Sequence, residues 1–304
     1  MTIVVAGHTG LVGSAIFKLL KSRGENVVGV NSSVVNLLDR KRTFEFLQDT
    51  KPQLVIDSAA IVGGIGANNS LPVDFLSKNL QIQNNLMDAS HEADVERFVF
   101  LGSSCIYPRD CAQPIKEEYL MTRPLEKTNS AYAVAKIAGL ELIKSYRKQY
   151  DRHWISLTPT NMYGPHDNFD LESSHVLPAF INRFVSAKRN NAKSVTLWGS
   201  GSPKREFLHT NDFAEAVLIA VDKYDADEHL NVGTGKDLSI KELASLVAKK
   251  AGFAGEIEWD PSKPDGTPRK VLDIARLNAL GWTPKISLED GITETIHWFE
   301  SNYN

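Results

Sequence analysis

The chain is poor in cysteine: its 304 residues include only Cys105 and Cys111. Two thiols cannot build the framework that holds small secreted domains together, so a reducing, cytoplasmic setting is expected. Long hydrophobic runs are missing as well, and no stretch approaches the roughly 18 apolar residues that suggest a membrane span. Positive charge is not in excess. A formal net charge of -3 gives no general attraction to nucleic acid or to an anionic membrane, which leaves a small molecule as the expected partner. No His, Cys, Asp and Glu stand at the spacing of zinc ligands, so no metal is expected. Internal repeats, low-complexity tracts and long linkers are also absent. Met1 to Ala6 carry no basic leader and run directly into glycine, which reads as a strand and not a signal peptide.

What is present is periodic. Apolar runs rich in β-branched residues recur at Thr2 to Ala6, Val27 to Val30, Leu54 to Ile56, Phe98 to Leu101 and Trp154 to Leu157. Strands covered on both faces by crossover helices have this composition. Between the first two, Leu11, Val12, Ala15, Ile16, Leu19 and Leu20 mark one helical face, and Gly24 closes it. The alternation predicts an α/β fold, a Rossmann-type doubly wound parallel sheet with a smaller, interleaved substrate-binding lobe. Residues 1–165, rejoined by 207–235, are expected to form the dinucleotide-binding domain; 166–206 and 236–304 are expected to form the lobe. Within these, Leu177 to Lys188, Phe207 to Val221, Ser239 to Ala251 and Leu288 to Phe299 read as helices, and Val195 to Trp198 as a strand.

Gly7-His8-Thr9-Gly10-Leu11-Val12-Gly13 follows the first strand and opens the first helix. Glycines there allow a tight turn and close approach of backbone to a pyrophosphate, while the helix N-terminus supplies free N–H groups and a positive dipole end. A carboxylate at the end of the second strand would bond the ribose 2′-OH of NAD. This chain reads Val30-Asn31-Ser32-Ser33 instead, which favours NADP(H). Asn36-Leu37 just beyond either flanks the adenine or turns into the next helix.

Tyr132-Ala133-Val134-Ala135-Lys136 carries the most chemistry in the fewest residues. Four residues apart on a helix share a face, so the ammonium is expected to lie near the phenol and to lower its pKa for acid–base work. The strand ending at Leu101 runs into Gly102-Ser103-Ser104-Cys105-Ile106-Tyr107. Doubly wound folds place chemistry at such strand ends, and a hydroxyl there can bond a substrate carbonyl. The residues alone leave Ser103 and Ser104 equivalent. Arg205 can bridge a diphosphate bidentately, and Trp198 offers a flat apolar face or a core side chain.

In its glycine pattern, its serine after the fourth strand and its Tyr-x-x-x-Lys, taken in order, the sequence resembles the extended short-chain dehydrogenase/reductase family. Further blocks sharpen the likeness toward the members that epimerise and reduce GDP-4-keto sugars. These are Ala60 to Ile65, Leu101 to Pro108, Asn161 to Phe169, His175 to Pro178, Arg205 to His209 and Lys263 to Lys270. The resemblance spans nearly the whole chain. It implies an NADPH-dependent 4-reductase that is also a 3,5-epimerase of GDP-4-keto-6-deoxy-D-mannose, with relatives acting on heptose or colitose-type sugars as the alternative. It selects Ser103 beside Tyr132 and Lys136 as catalytic, and Cys105 with His175 as the proton-moving pair. It places Leu101 to Ser104, Lys136, Pro159, Thr160, Asn161, Met162 and His175 against the cofactor, and Arg183, Trp198, Arg205 and Asp265 around the GDP. A homodimer packed through helices near Gln81 to Asp88 and Tyr132 to Tyr146 is also implied. The likeness breaks at Thr9 and Ser32, where members often carry arginine for the 2′-phosphate.

Overall fold

The computed structural model describes residues 1–263 and 265–303; Pro264, inside the Lys263 to Lys270 block, and Asn304 lie outside the described residues. Strands and helices alternate from the first residue onward: β1 (Thr2–Ala6), α1 (Leu11–Ser22), β2 (Asn26–Val30), α2 (Arg40–Thr50), β3 (Leu54–Asp57), α3 (Ile65–Ser70), α4 (Asn79–Glu92), β4 (Arg97–Leu101), α5 (Ser130–Tyr150) and β5 (Ile155–Pro159). Next come β6 (Asn161–Tyr163), α6 (Val176–Arg189), β7 (Ser194–Trp198), β8 (Lys204–Arg205), β9 (Phe207–His209), α7 (Thr210–Lys223) and β10 (Leu230–Val232). The chain ends through β11 (Leu238–Ser239), α8 (Ile240–Ala251), β12 (Glu256–Asp260), β13 (Arg269–Lys270), α9 (Ala275–Ala279) and α10 (Leu288–Asn302).

Six strands form a parallel sheet in the order β10-β5-β4-β3-β1-β2. Side chains alternate across it. In β4, Val99 and Leu101 join the core under α1 and α7, while Phe98 and Phe100 face the core under α4 and α5. Both faces being apolar is what makes the strand read as an unbroken hydrophobic run. The sheet is therefore doubly wound, as the alternation predicts. A third core gathers α6, α8 and α10 with β7 and β12, through Phe184, Val195, Leu243, Val247 and Ile292. Ser239 caps α8 reciprocally with Glu242, which starts that helix one residue later than the apolar pattern suggests. Among the described residues no helix is long and apolar enough to cross a membrane.

One expectation fails. Phe207 to Val221 is not a single helix: Phe207–His209 is the strand β9, paired in parallel with β6, and α7 begins at Thr210. All three strand residues are buried, so they look like the first turn of an apolar helix face. His209 makes the break, because its Nδ1 accepts the Asn211 N–H at 3.3 Å and caps the helix there.

Candidate active site

The strand ends β1, β3 and β4 meet the N-termini of α1 and α5. Gly7 sits at φ +79°, and a Cβ on it would lie 2.9 Å from the backbone of Ser58 and Ala59. A Cβ at Gly13 would run into the Gly7 carbonyl and Ser58 Oγ. These two glycines let α1 press onto β1 and β3. Gly10 has only the Gly7 oxygen near its missing Cβ, at 3.5 Å, and caps α1 without a side-chain bond. The first-turn N–H groups beside Thr9, Leu11 and Val12 are thus left for a phosphate. His8 is tilted against Phe17 at 5.2 Å between ring centroids and packed over Gly29.

At the end of β2, Asn31 Oδ1 accepts from Ser33 N at 3.1 Å and Ser33 Oγ at 2.7 Å, leaving Ser32 exposed. Asn36 closes a turn on Leu38 N at 3.2 Å, and Leu37 is buried in the core. The turn reading of Asn36-Leu37 is what the backbone adopts. The mouth is a glycine cradle with a neutral hydroxyl rim; its chemistry fits a dinucleotide, and among the described residues at the end of β2 Asn31, Ser32 and Ser33 stand where a carboxylate would repel a 2′-phosphate. Pro159 ends β5, and beyond it Thr160 N bonds Val232 O at 3.0 Å while Asn161 Nδ2 bonds Glu206 O at 2.8 Å. Met162 packs against the core under α1.

The Gly102 amide bonds Leu157 O at 2.8 Å, and the chain then turns through the short helix Ser104–Ile106. Ser103 accepts the Cys105 N–H at 3.2 Å on its side-chain oxygen and stands close enough to Tyr132 to favour its ionised form, whereas Ser104 is buried. The two serines that are equivalent in sequence are not equivalent in space. Behind this turn, Tyr107 donates to Asn231 Oδ1 and bonds His229 at 2.8 Å, in a buried network that anchors the Cys105 loop.

Tyr132 and Lys136 share a face of α5, with Lys136 Nζ 5.9 Å from the Tyr132 ring centroid. The electrostatic expectation needs correction. Enclosure of the Tyr132 hydroxyl pushes its pKa up, Cys105 pushes it further, and nearby Ser103 only partly opposes them. Lys136 Nζ is instead spent on Leu101 O at 2.8 Å, buried over the Phe100 ring. Loss of water outweighs a cation that is turned elsewhere. The phenol is consequently held protonated, as a proton donor must be.

His175 is the N-cap residue of α6, yet its side chain makes no capping bond. His175 keeps an exposed surface while protein crowds around its ring. That loss of water lowers its pKa, and the positive charge of Lys270 lowers it further. Lys270, on β13, also places its Nζ 3.9 Å from Cys105 Sγ. Lys270 thus stands beside Cys105, and its charge acts on His175 as well. Sequence reading missed the lysine: nothing in Arg269-Lys270 marks one as functional, and Arg269 is in fact tied to Asp237. Replacing the charge, Lys270→Met, should raise the His175 pKa, read from its imidazole NMR titration. An unmoved midpoint would contradict the arrangement.

The nucleotide-side residues are more scattered. Trp198 ends β7 with 62% of its surface exposed, and Lys263 Nζ lies 5.5 Å from its ring. It is an open stage and not a core tryptophan. Arg205 is half-buried, and loss of water lowers its pKa, opposed by Cys105 and then Asp265. Asp265 accepts from Ser200 N and Ser200 Oγ, both at 2.7 Å, so it also braces the loop after β7. Arg183, two turns into α6, has no ion pair among the described residues.

A doubly wound sheet with a glycine mouth and a Ser-Tyr-Lys group at the β4 end defines a dinucleotide-dependent oxidoreductase of the short-chain type. The chain belongs to the NAD dependent epimerase/dehydratase family, whose model matches residues 3–233. It is 52% identical to a putative GDP-L-fucose synthase 2 of Arabidopsis thaliana, over 99% of this chain and 92% of that protein. It is 47% identical to the GDP-L-fucose synthase of Escherichia coli K12, over 99% and 97%. A crystal structure of a GDP-L-fucose synthetase from Naegleria fowleri bound to NADP superposes with a TM-score of 0.92 at 29% identity, covering 99% of this chain and 94% of that one.

Proposed function

We propose that the chain converts GDP-4-keto-6-deoxy-D-mannose to GDP-L-fucose, by epimerisation at C3 and C5 and NADPH-dependent reduction at C4. The observation that carries this reading is the approach of Lys270 Nζ to Cys105 Sγ, at 3.9 Å, where its charge also acts on His175, together with the Ser103–Tyr132 group. Reduction of a ketone needs only the second group; a thiol and an imidazole beside it supply what carbon epimerisation needs. The near-full-length likeness to GDP-L-fucose synthases supports the same sugar.

A ketone at C4 acidifies the hydrogens at C3 and C5, because the carbanion left behind is an enolate. Cys105 removes the proton, with Lys270 as the cation facing its sulfur. Ser103 and Tyr132 hold the enolate oxygen where its charge develops. His175 returns a proton on the other face. Loss of water and the charge of Lys270 lower its pKa, which makes its imidazolium the readier to give a proton up. The cofactor, when bound, supplies hydride for C4, and Tyr132 gives its proton to the oxygen. Gly7, Gly10 and Gly13 seat the dinucleotide with Ser32 beside the 2′-phosphate, and Lys136 with Pro159 to Met162 lines the nicotinamide end. Arg183, Trp198, Arg205 and Asp265 hold the GDP.

Residues 1–165 with 207–235 serve as the cofactor domain, and 166–206 with 236–304 as the substrate lobe. The chain works as a cytoplasmic homodimer; exposed Val134 on α5, with Leu71 and Val73 ahead of α4, supports an apolar contact there. Mixing the protein with the GDP-4-keto sugar should bleach the nicotinamide band of NADPH, and of NADH more slowly. No oxidation with either would overturn the reductase.

A further inference from the structure

Asp57 is the last residue of β3, in register with Ala6 of β1 and Phe100 of β4. It is wholly buried. One carboxylate oxygen accepts the Ala59 N–H at 3.1 Å; the other has no hydrogen-bond partner among the described residues. An asparagine would close the same turn without burying a charge, so the turn does not account for an acid here.

The neighbourhood gives the reason. Phe100, directly beside Asp57 on the next strand, carries the Lys136 ammonium 4.8 Å from its ring centroid, under α5. Gly139 allows this closeness, since a Cβ there would collide with the Phe100 ring. Lys136 is buried too, and Leu101 O is its one hydrogen-bond acceptor among the described residues. Burial disfavours the ammonium, and Asp57 is the charged group that opposes this. In return, Lys136 is the charged group that acts on Asp57. From α4, the nearby polar side chains are Asn79 and Gln83, which do not titrate and whose amides are bonded to Phe75 O and Ala135 O. From α5 the remaining titratable group is Tyr132.

We propose that Asp57 is a positioning residue of the reductive half-reaction: its carboxylate is the buried counter-charge that keeps Lys136 an ammonium at the nicotinamide end of the site. This rests on the reductase reading for its consequence, but not for its measurement. Loss of water raises the Asp57 pKa to about 6, so the carboxylate is present at neutral pH and is lost only in acid.

Asp57→Asn keeps the turn and removes the charge. With lysine ε-carbons labelled, the Lys136 resonance, assigned as the one missing from Lys136→Met, is titrated in the free protein. In Asp57→Asn its midpoint should fall by about one unit or more. NADPH binding, followed by fluorescence, should then weaken about tenfold on the alkaline side and little near pH 6. Stability checks the same charge. The raised pKa costs folding free energy as pH climbs from about 4 through about 6, so Asp57→Asn should gain melting temperature relative to wild type above that window and not below it. Asp57→Ser is the second variant if the amide does not fold. An unchanged Lys136 midpoint in either variant overturns the proposal. Should wild type bind NADPH but turn over no keto sugar, the titration still stands or falls separately.

Discussion

Tyr132→Phe should slow hydride transfer to the C4 ketone roughly 10²- to 10⁴-fold, the usual contribution of a positioned general acid. The variant loses one oxygen and nothing else. Its ring keeps the edge-on packing against Phe75, at 6.2 Å between centroids, so fold and cofactor affinity should hold. The size of the effect follows from the environment. Enclosure and the nearby Cys105 raise the Tyr132 pKa above its ordinary value, so the proton is on the phenol throughout the neutral range. Neither Ser103, a much weaker acid, nor Lys136, committed to the Leu101 carbonyl, can replace it. Single-turnover oxidation of bound NADPH measures the step directly. A wild-type rate would mean the oxygen is protonated from elsewhere.

Cys105→Ser should suppress entry of solvent deuterium at C3 and C5 by a similar factor, on the order of 10²–10⁴. Serine fits the space, and the turn Ser104–Ile106 keeps its backbone bond to Ser103. What changes is the proton-accepting atom: a serine hydroxyl is a far weaker acid than a thiol and supplies no comparable base. Lys270 remains in place at 3.9 Å from the former sulfur position, with no anion to meet. NADPH oxidation should fall less than exchange, since the Ser103–Tyr132 group is intact, and the sugar reduced should retain its D configuration. Exchange at the wild-type rate would move the base to another residue, with His175 the first candidate.

Much of this was legible before any coordinates, for reasons tied to particular residues. Strands covered on both faces announce themselves by composition, as Phe98 to Leu101 does, and glycines such as Gly7 and Gly13 stand where a Cβ cannot. What a linear pattern cannot carry is competition between effects. Tyr132 and Lys136 share a helix face, but the backbone at Leu101 captures the ammonium and enclosure decides the phenol. The same limit applies to Lys270, which approaches Cys105 from 165 residues away along the chain. Asp57 looks in sequence like the polar end of a strand, and its isolation shows only when the neighbouring strands are in place. The misread helix start at Phe207 has a third cause: three buried residues satisfy either period, and the His209 cap that separates strand from helix is a matter of side-chain geometry.

The product of one incubation tests the central claim most directly. Protein, GDP-4-keto-6-deoxy-D-mannose and NADPH are combined in deuterium oxide, and the nucleotide sugar is identified by NMR. GDP-L-fucose carrying deuterium at C3 and C5 and protium at C4 is the expected result. A D-configured 6-deoxy sugar with no deuterium at those carbons would contradict it, leaving a reductase in which Cys105 and His175 move no protons.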